Sequence, residues 1–320
     1  MPEPRFDVTS LGEMLLRLSL PSGERLETAR HLDVFPAGAE ANVMSLLARL
    51  ERNTYWAGAL PKNAPGRLAA NALRIAGVDT SGILWNENGR MGTYYVEFGE
   101  PPRGIQVTYD RANSCMSQLT PDELDWDSLL NTRLLHLTGI TPALSASCRE
   151  IVERAVEAAR QRGVPISFDV NFRGKLWTET NAEKTLSPMI QNVELLFCSA
   201  RDATGLFNCT GTVHEIAQKL LELSRARYVV LTSSYEGAHL WDGKEWLYEP
   251  ARPTKIIDRL GAGDALAAGV IHGWLEGDPK AGLRYGVTLA ALALSQFGDM
   301  VITNQEELLT LSRGSSSLTR

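Results

Sequence analysis

Near the end of the 320-residue chain, Ile256-Ile257-Asp258-Arg259-Leu260 runs into Gly261-Ala262-Gly263-Asp264, and a stretch rich in small residues continues to Gly269. Two glycines one residue apart permit a tight turn, and the small residues behind them suit the start of a helix. A turn of this kind leaves backbone N–H groups free at a helix N-terminus, where the dipole favours an anion such as phosphate. Asp264 falls in the first helical turn, beside that anion hole. A carboxylate there can accept a hydroxyl proton while the N–H groups hold charge on a transferring phosphoryl group. Base and anion hole in one turn fit phosphoryl transfer. Two other readings use the same residues. An acid in a first turn can simply stabilise its helix, by a few tenths of a kcal/mol. A glycine pair before a helix can also bind a dinucleotide, but Leu266 stands where G-x-G-x-x-G needs its third glycine, and the turn comes late in the chain. No G-x-x-x-x-G-K-[ST] occurs, which argues against a P-loop.

The elements that must hold this turn follow from hydrophobic period. Phe6 to Leu11 is expected to be a buried strand, with short alternating pieces from Gly12 to Pro36. Val43, Leu46, Leu47 and Leu50 fall on one face of a helix from about Ala39 to Glu51. Thr54 to Ala59 reads as strand, Pro65 to Gly77 as helix, and Gly92 to Phe98 and Ile105 to Tyr109 as further alternating strands. The turn-rich segment Gly99 to Gly104 separates that last pair. From Arg133 strands and helices alternate: strands at 134–137, 164–170, 193–198 and 228–232, helices at 145–162, 180–191 and 211–225. A hairpin-like piece (238–241, 245–248), helices at about 262–276 and 279–296, and a last helix opening on a capping box at Thr303 complete the order. This rhythm predicts an α/β fold, a doubly wound and mainly parallel sheet covered on both faces, as one domain over 1–320. The alternating patches 12–37 and 90–112 interrupt the order. They would form either an antiparallel edge of the main sheet or, the reading preferred here, a small antiparallel β lid over one end of it.

Composition narrows the partners. A net charge of -6 with dispersed Lys and Arg offers nothing to nucleic acid or an anionic membrane. No apolar stretch approaches the roughly 20 residues of a membrane span, and the opening residues lack the layout of a secretory signal. Cys115, Cys148, Cys198 and Cys209 have no paired spacing and read as reduced thiols. A cytoplasmic protein is expected.

Asp258 to Asp264 resembles the D-T-x-G-A-G-D signature of the ribokinase-like carbohydrate kinases. The likeness spans nearly the whole chain, from the early strand ending at Gly12 through Gly38-Ala39-Glu40-Ala41-Asn42 to the late glycine turn. It implies a doubly wound α/β domain with a β lid, ATP and Mg2+ as co-substrate and metal, and a homo-oligomer formed through the lid. Asp264 would be the catalytic base and the N–H groups of Gly261, Ala262 and Gly263 the anion hole. The wider family also implies a K+ requirement, with Asp258 near the monovalent-cation site.

Several segments look like the 2-keto-3-deoxygluconate kinases within that family. Ala37 to Val43 is similar to their G-G-A-E-x-N-V, which would bring the Gly38 backbone and the Asn42 side chain to the sugar acid; the same residues would also start a helix. Tyr109-Asp110-Arg111-Ala112-Asn113-Ser114 is similar to Y-x-R-x-x-S, and Tyr95 matches an upstream lid tyrosine. Arg111 would grip the substrate carboxylate with two hydrogen bonds and the tyrosines would close over it; a solvated strand-end charge is the plainer alternative. Asp169-Val170-Asn171-Phe172-Arg173 resembles D-x-N-x-R at the carboxyl end of a strand, where open α/β sheets bind ligands. Arg173 would face the sugar acid or the phosphate, and Asp299 would touch substrate or be an ordinary loop acid. For the nucleotide, Ser199 and Asp202 occupy the place of N-x-x-E, with Asp202 near magnesium, and Thr232, Ser234 and Gly237 form the nucleotide loop. The chain departs from the pattern at Ser199, Asp202 and Arg259, and Asp110 puts a negative charge next to Arg111. The implied activity is phosphorylation of a sugar-acid hydroxyl, most like 2-keto-3-deoxygluconate to its 6-phosphate. A neutral ketose or nucleoside substrate, a silent sugar-acid sensor and a nicotinamide dehydrogenase are the rivals.

Overall fold

The computed structural model describes residues 3–99 and 102–314, so Glu100 and Pro101 of the expected turn, and the two opening residues, lie outside the described residues. The first part of the chain forms β1 (Phe6–Leu11), β2 (Leu15–Ser19), β3 (Asp33–Ala37), α1 (Ala39–Arg49), β4 (Thr54–Pro61), α2 (Ala64–Ala76), β5 (Asp79–Asn86), β6 (Gly92–Glu97) and β7 (Gln106–Asp110). The middle forms α3 (Trp126–Leu130), β8 (Thr132–Thr138), α4 (Ala146–Arg162), β9 (Ile166–Asp169), α5 (Glu179–Met189), β10 (Leu195–Ser199), α6 (Ala200–Phe207), α7 (Val213–Ser224) and β11 (Tyr228–Thr232). The remainder is the hairpin β12 (Gly237–Trp241) and β13 (Trp246–Pro250), then α8 (Ala262–Leu275), α9 (Pro279–Leu294) and α10 (Gln305–Ser312).

A nine-stranded sheet runs β13-β12-β11-β10-β9-β8-β1-β4-β5. It is parallel from β11 through β5, with the antiparallel hairpin at one edge. Alternate strand residues face opposite layers. Leu135, Leu137, Leu196 and Leu231 pack under α4, α5 and α7, while Leu134, Leu195, Phe197 and Val230 pack with α1, α8 and α9. The doubly wound α/β expectation holds. From β1 the chain first builds outward through β4 and β5, then returns to the other side at β8. That reversal opens a crevice at the carboxyl ends of the strands.

The second sheet, β3-β2-β6-β7, comes from the two interrupting patches. Its outer pairs are antiparallel and its central pair, β2 with β6, is parallel. The sequence pattern leaves β5, α3 and α6 unmarked. Asp79, Ser81 and Gly82 dilute the alternation of β5, and the five residues of α3 and eight of α6 are too short for a period to show. The last helix starts one residue later than expected: Asn304, not Thr303, caps α10 by accepting the Glu307 N–H at 2.8 Å. All four cysteines are buried and free. Among the described residues no helix is long and apolar enough to cross a membrane.

The helix that carries the glycine turn is fixed by backbone-to-backbone packing. A Cβ on Gly269 of α8 would lie 2.4 Å from the Gly286 nitrogen of α9, and one on Gly273 would lie 2.2 Å from the Gly282 Cα. Gly269→Ala should therefore push α8 from α9 and cost about 1–3 kcal/mol. The check is a lower urea midpoint at unchanged m.

Candidate active site

Gly261 caps α8 with φ 82°, ψ -8°, a left-handed conformation that glycine alone adopts freely, and a Cβ there would meet the Asp299 carbonyl oxygen at 2.4 Å. A Cβ on Gly263 would meet nothing within 4 Å, so this glycine borders open space. The first N–H groups of α8 have no partner inside the helix. They line a cavity of about 290 Å³ together with Asp169, Asn171, Arg173, Asp202, Thr232 and Arg259. A wider cleft of about 770 Å³ continues from Arg173 and Asp202 to Tyr109 and Val107 of the second sheet.

Asp264 stands in the first turn of α8 and accepts a 2.7 Å hydrogen bond from Asn42 Nδ2 in the first turns of α1. The Asn42 Oδ1 is buried with no hydrogen-bond partner among the described residues. Burial pushes the Asp264 carboxyl up to about 7, partly offset by Asn42, with Asp169 adding in the same direction. Asp169, at the end of β9, is likewise pushed up to about 7 by burial, against the pull of Arg173. Asp202 is raised by burial too. Arg173 is exposed and, like Arg259, makes no ion pair among the described residues. Two free guanidiniums thus face three carboxylates and an unpaired helix start.

The Arg111 surroundings differ from expectation. Its Nε donates to Glu13 Oε2 at 2.8 Å and its Nη2 to the same oxygen, while Ser114 Oγ donates to Glu13 Oε1. The side edge of the guanidinium is therefore taken, and only its Nη1–Nη2 end can reach a ligand carboxylate. Asp110 pairs with Arg90 at 2.7 Å, so the charge beside Arg111 is Glu13, not Asp110. Gly38 also plays another part. A Cβ there would strike the Glu13 carbonyl at 2.4 Å, so the glycine serves the contact of α1 with the chain after β1.

Tyr95 was expected over the ligand; the structure turns Tyr94 inward instead. β6 alternates, and Tyr94 pairs in register with Arg17 while Tyr95 pairs with Leu18 on the opposite face. Tyr94 donates to Asp299 Oδ1 at 2.7 Å, and its ring lies 5.6 Å from that of Tyr109. Tyr109 and Leu260 belong to the same apolar cluster, so the small sheet rests on the glycine turn.

Asp299 and Asp258 are neither loop acids nor free ligands. Arg17 of β2 donates Nη1 to Asp299 Oδ2 at 2.8 Å and Nη2 to Asp258 Oδ2. A cation beside Asp258 does not fit, because the internal guanidinium already sits on that carboxylate. Ser199 caps α6 by accepting the Asp202 N–H at 2.9 Å. Thr232 lines the cavity, whereas Ser234 and Gly237 lie past it in a tight turn; a Gly237 Cβ would lie 2.2 Å from the Glu249 carbonyl. Sequence reasoning missed Arg17, Tyr94 and Glu13. Strand parity relative to Tyr109 was the one available signal, and it bears on Tyr94.

A doubly wound α/β fold with an anion-binding helix start and a carboxylate inside it defines a phosphotransferase site. The chain matches the model of the pfkB family carbohydrate kinases over residues 5–306, and it belongs to that family. It is similar to a 2-dehydro-3-deoxygalactonokinase of Haloferax volcanii, 33% identical over 309 residues, covering 96% of this chain and 97% of the relative. A 2-dehydro-3-deoxygluconokinase of Bacillus subtilis is 33% identical over 271 residues, 82% of each chain. The crystal structure of a 2-dehydro-3-deoxygluconokinase from Thermotoga maritima superposes with a TM-score of 0.92 at 30% identity, covering 98% of this chain and 99% of the other.

Asp264 must be ionised to accept a proton, and its raised value puts that ionisation near neutrality. We expect kcat/KM to fall about tenfold per pH unit below about 7, rather than below the ordinary Asp range near 4. Asp264→Asn should lose about 10²–10⁴-fold in kcat while still binding nucleotide by calorimetry. Tyr94→Phe should raise the sugar KM several-fold, and Tyr95→Phe should leave it unchanged; steady-state kinetics of the pair decides the parity argument.

Proposed function

We propose that the protein is a cytoplasmic kinase that transfers the γ-phosphoryl group of ATP to a hydroxyl of a 2-keto-3-deoxy sugar acid, most like 2-keto-3-deoxygluconate. The single observation that carries this is the Asn42–Asp264 pair: the proton acceptor is held at 2.7 Å by an amide whose other end, Oδ1, is buried and has no partner among the described residues. A buried acceptor of this kind calls for a donor, and a sugar hydroxyl supplies one. The names of the relatives favour a keto acid over a neutral ketose or a nucleoside, with both the gluconate and the galactonate epimers represented.

In this mechanism Asp264 takes the proton of the attacking hydroxyl as the new O–P bond forms and the bond to the ADP oxygen breaks. The N–H groups of Gly261, Ala262 and Gly263 hold charge on the transferring group, with Arg173 and Arg259 beside them. The end of Arg111 left open by Glu13 holds the acid of the sugar, and Tyr94 and Tyr109 exclude water above it. Asp169 and Asp202 are the residues that would hold Mg2+ together with nucleotide phosphates. Once bound, that ion neutralises phosphate charge. The open edge strand β3, with Val34 exposed, supports a homo-oligomer through the small sheet.

The test is an ADP-release assay with MgATP, comparing 2-keto-3-deoxygluconate, its galactonate epimer, fructose, ribose and adenosine. We expect turnover with the keto acids and a loss of about 10²-fold in kcat/KM with the neutral compounds, the price of an unfilled acid contact. Preference for a neutral sugar would overturn the substrate and leave the kinase.

A further inference from the structure

One fully buried charge belongs to none of the reacting groups. The Arg17 side chain has no solvent exposure, and neither has that of Asp258; Asp299 retains 7%. The Arg17 Nε donates to Ser19 Oγ at 2.5 Å, so every nitrogen of the guanidinium has a partner. Its faces lie against two aromatic rings of the small sheet and its flank, Phe35 at 5.1 Å and Phe98 at 5.3 Å. A planar cation bridging two carboxylates and enclosed by rings is a complete cation site made of protein.

What it holds is the frame of the glycine turn. Asp258 Oδ1 accepts the Leu260 N–H at 3.1 Å and Oδ2 accepts the Gly298 N–H at 3.2 Å. Asp299 sends its carbonyl against Gly261, where a Cβ would lie 2.4 Å away. Removing the guanidinium would leave two buried carboxylates facing each other behind the anion hole, and the two loops would part.

We propose that Arg17 is a built-in replacement for a bound monovalent cation: it fixes Asp258 and Asp299, and through them the Gly261–Asp264 turn, so that phosphoryl transfer needs no potassium, sodium or ammonium ion. Arg17 is on this account a positioning residue, since it touches neither Asp264 nor the cavity-lining groups directly. It is carried on β2, so the cation that braces the turn belongs to the small sheet and not to the main domain. The inference rests on the kinase reading of the site but not on which sugar acid is the substrate.

The experiment compares the full chain in chloride salts of potassium, sodium and tetramethylammonium at equal ionic strength, reading kcat, calorimetric MgATP affinity and Tm. The protein should give the same three values, within about twofold, in all salts. Arg17→Ala should lose about 10²-fold in kcat, the cost of a small misplacement, with a smaller change in the KM for ATP. Millimolar guanidinium or potassium should restore about tenfold of that loss and raise the variant's Tm, whereas tetramethylammonium, whose methyl groups carry no N–H and keep its charge away from the carboxylate oxygens, should not. Two results would overturn the proposal: a rise of tenfold or more in turnover or MgATP affinity of the unaltered protein with potassium, or a folded Arg17→Ala that no small cation rescues. If Arg17→Ala does not fold, the salt series on the unaltered protein decides alone, and Arg17→Lys, which keeps a cation, should retain more activity than Arg17→Met. Absence of turnover with every sugar would count against the substrate reading only, because MgATP affinity and Tm in the three salts still test the cation.

Discussion

The first N–H groups of a helix cannot bond within it, and α8 begins where the carboxyl ends of the parallel strands converge. Those donors, with the dipole behind them, make that spot positive in a region where the strand ends deliver Asp169, and α6 delivers Asp202. The start of α8 is held from two directions. The glycine seam with α9 fixes its axis, and the Asp299 carbonyl pressed on Gly261 fixes its cap. A side chain at either contact would move the donors by more than a phosphoryl group tolerates. The sheet, the seam and the second sheet all act on this one turn.

What was legible in the sequence is what is contiguous in it. Gly261 to Asp264 could be assigned because the turn, the donors and the acid are adjacent, and geometry follows from spacing alone. The alternation of strands and helices after Arg133 was legible for the same reason, since each element declares its own period. β5 was not, because its outer face carries polar residues and Gly82, which lets the strand pass the Tyr55 hydroxyl that a Cβ would meet at 2.4 Å. The strand is specified by its neighbour, not by its own pattern.

Charge pairing over long separations was the least legible part. Arg17 meets Asp258 and Asp299 across 241 and 282 residues, and Glu13 meets Arg111 across 98. Nothing near any of these residues marks its partner. Nothing in its alternating strand singles out Arg17, and only the family resemblance puts Asp258 near a cation. The structure joins the two, because the small sheet folds its Arg-bearing face onto the loops that flank the turn. Parity errors have the same origin. Tyr94 and Tyr95 are chemically alike, and the register of β6 against β2 and β7 tells which one turns toward Asp299.

The buried acids around the turn are held in two different ways, and the contrast explains why one of them can react. Asp258 and Asp299 share one fixed guanidinium, and burial still raises the Asp299 carboxyl against its pull. Asp264 receives only the amide of Asn42, which donates a hydrogen bond but carries no charge. Burial with no cation bonded to it raises its pKa to about 7 against the weaker pull of Arg173, so the folded chain binds a proton there that the unfolded chain has already lost. The group therefore withdraws stability as pH rises from the ordinary Asp range through about 7, the reverse of a salt-bridged acid. That cost is also what makes Asp264 a stronger proton acceptor than an exposed carboxylate. A guanidinium placed on it, as on Asp258, would restore the stability and silence the base. The fold keeps its strongest cation one layer behind the cleft, where it can brace the turn without quenching the group that the turn presents.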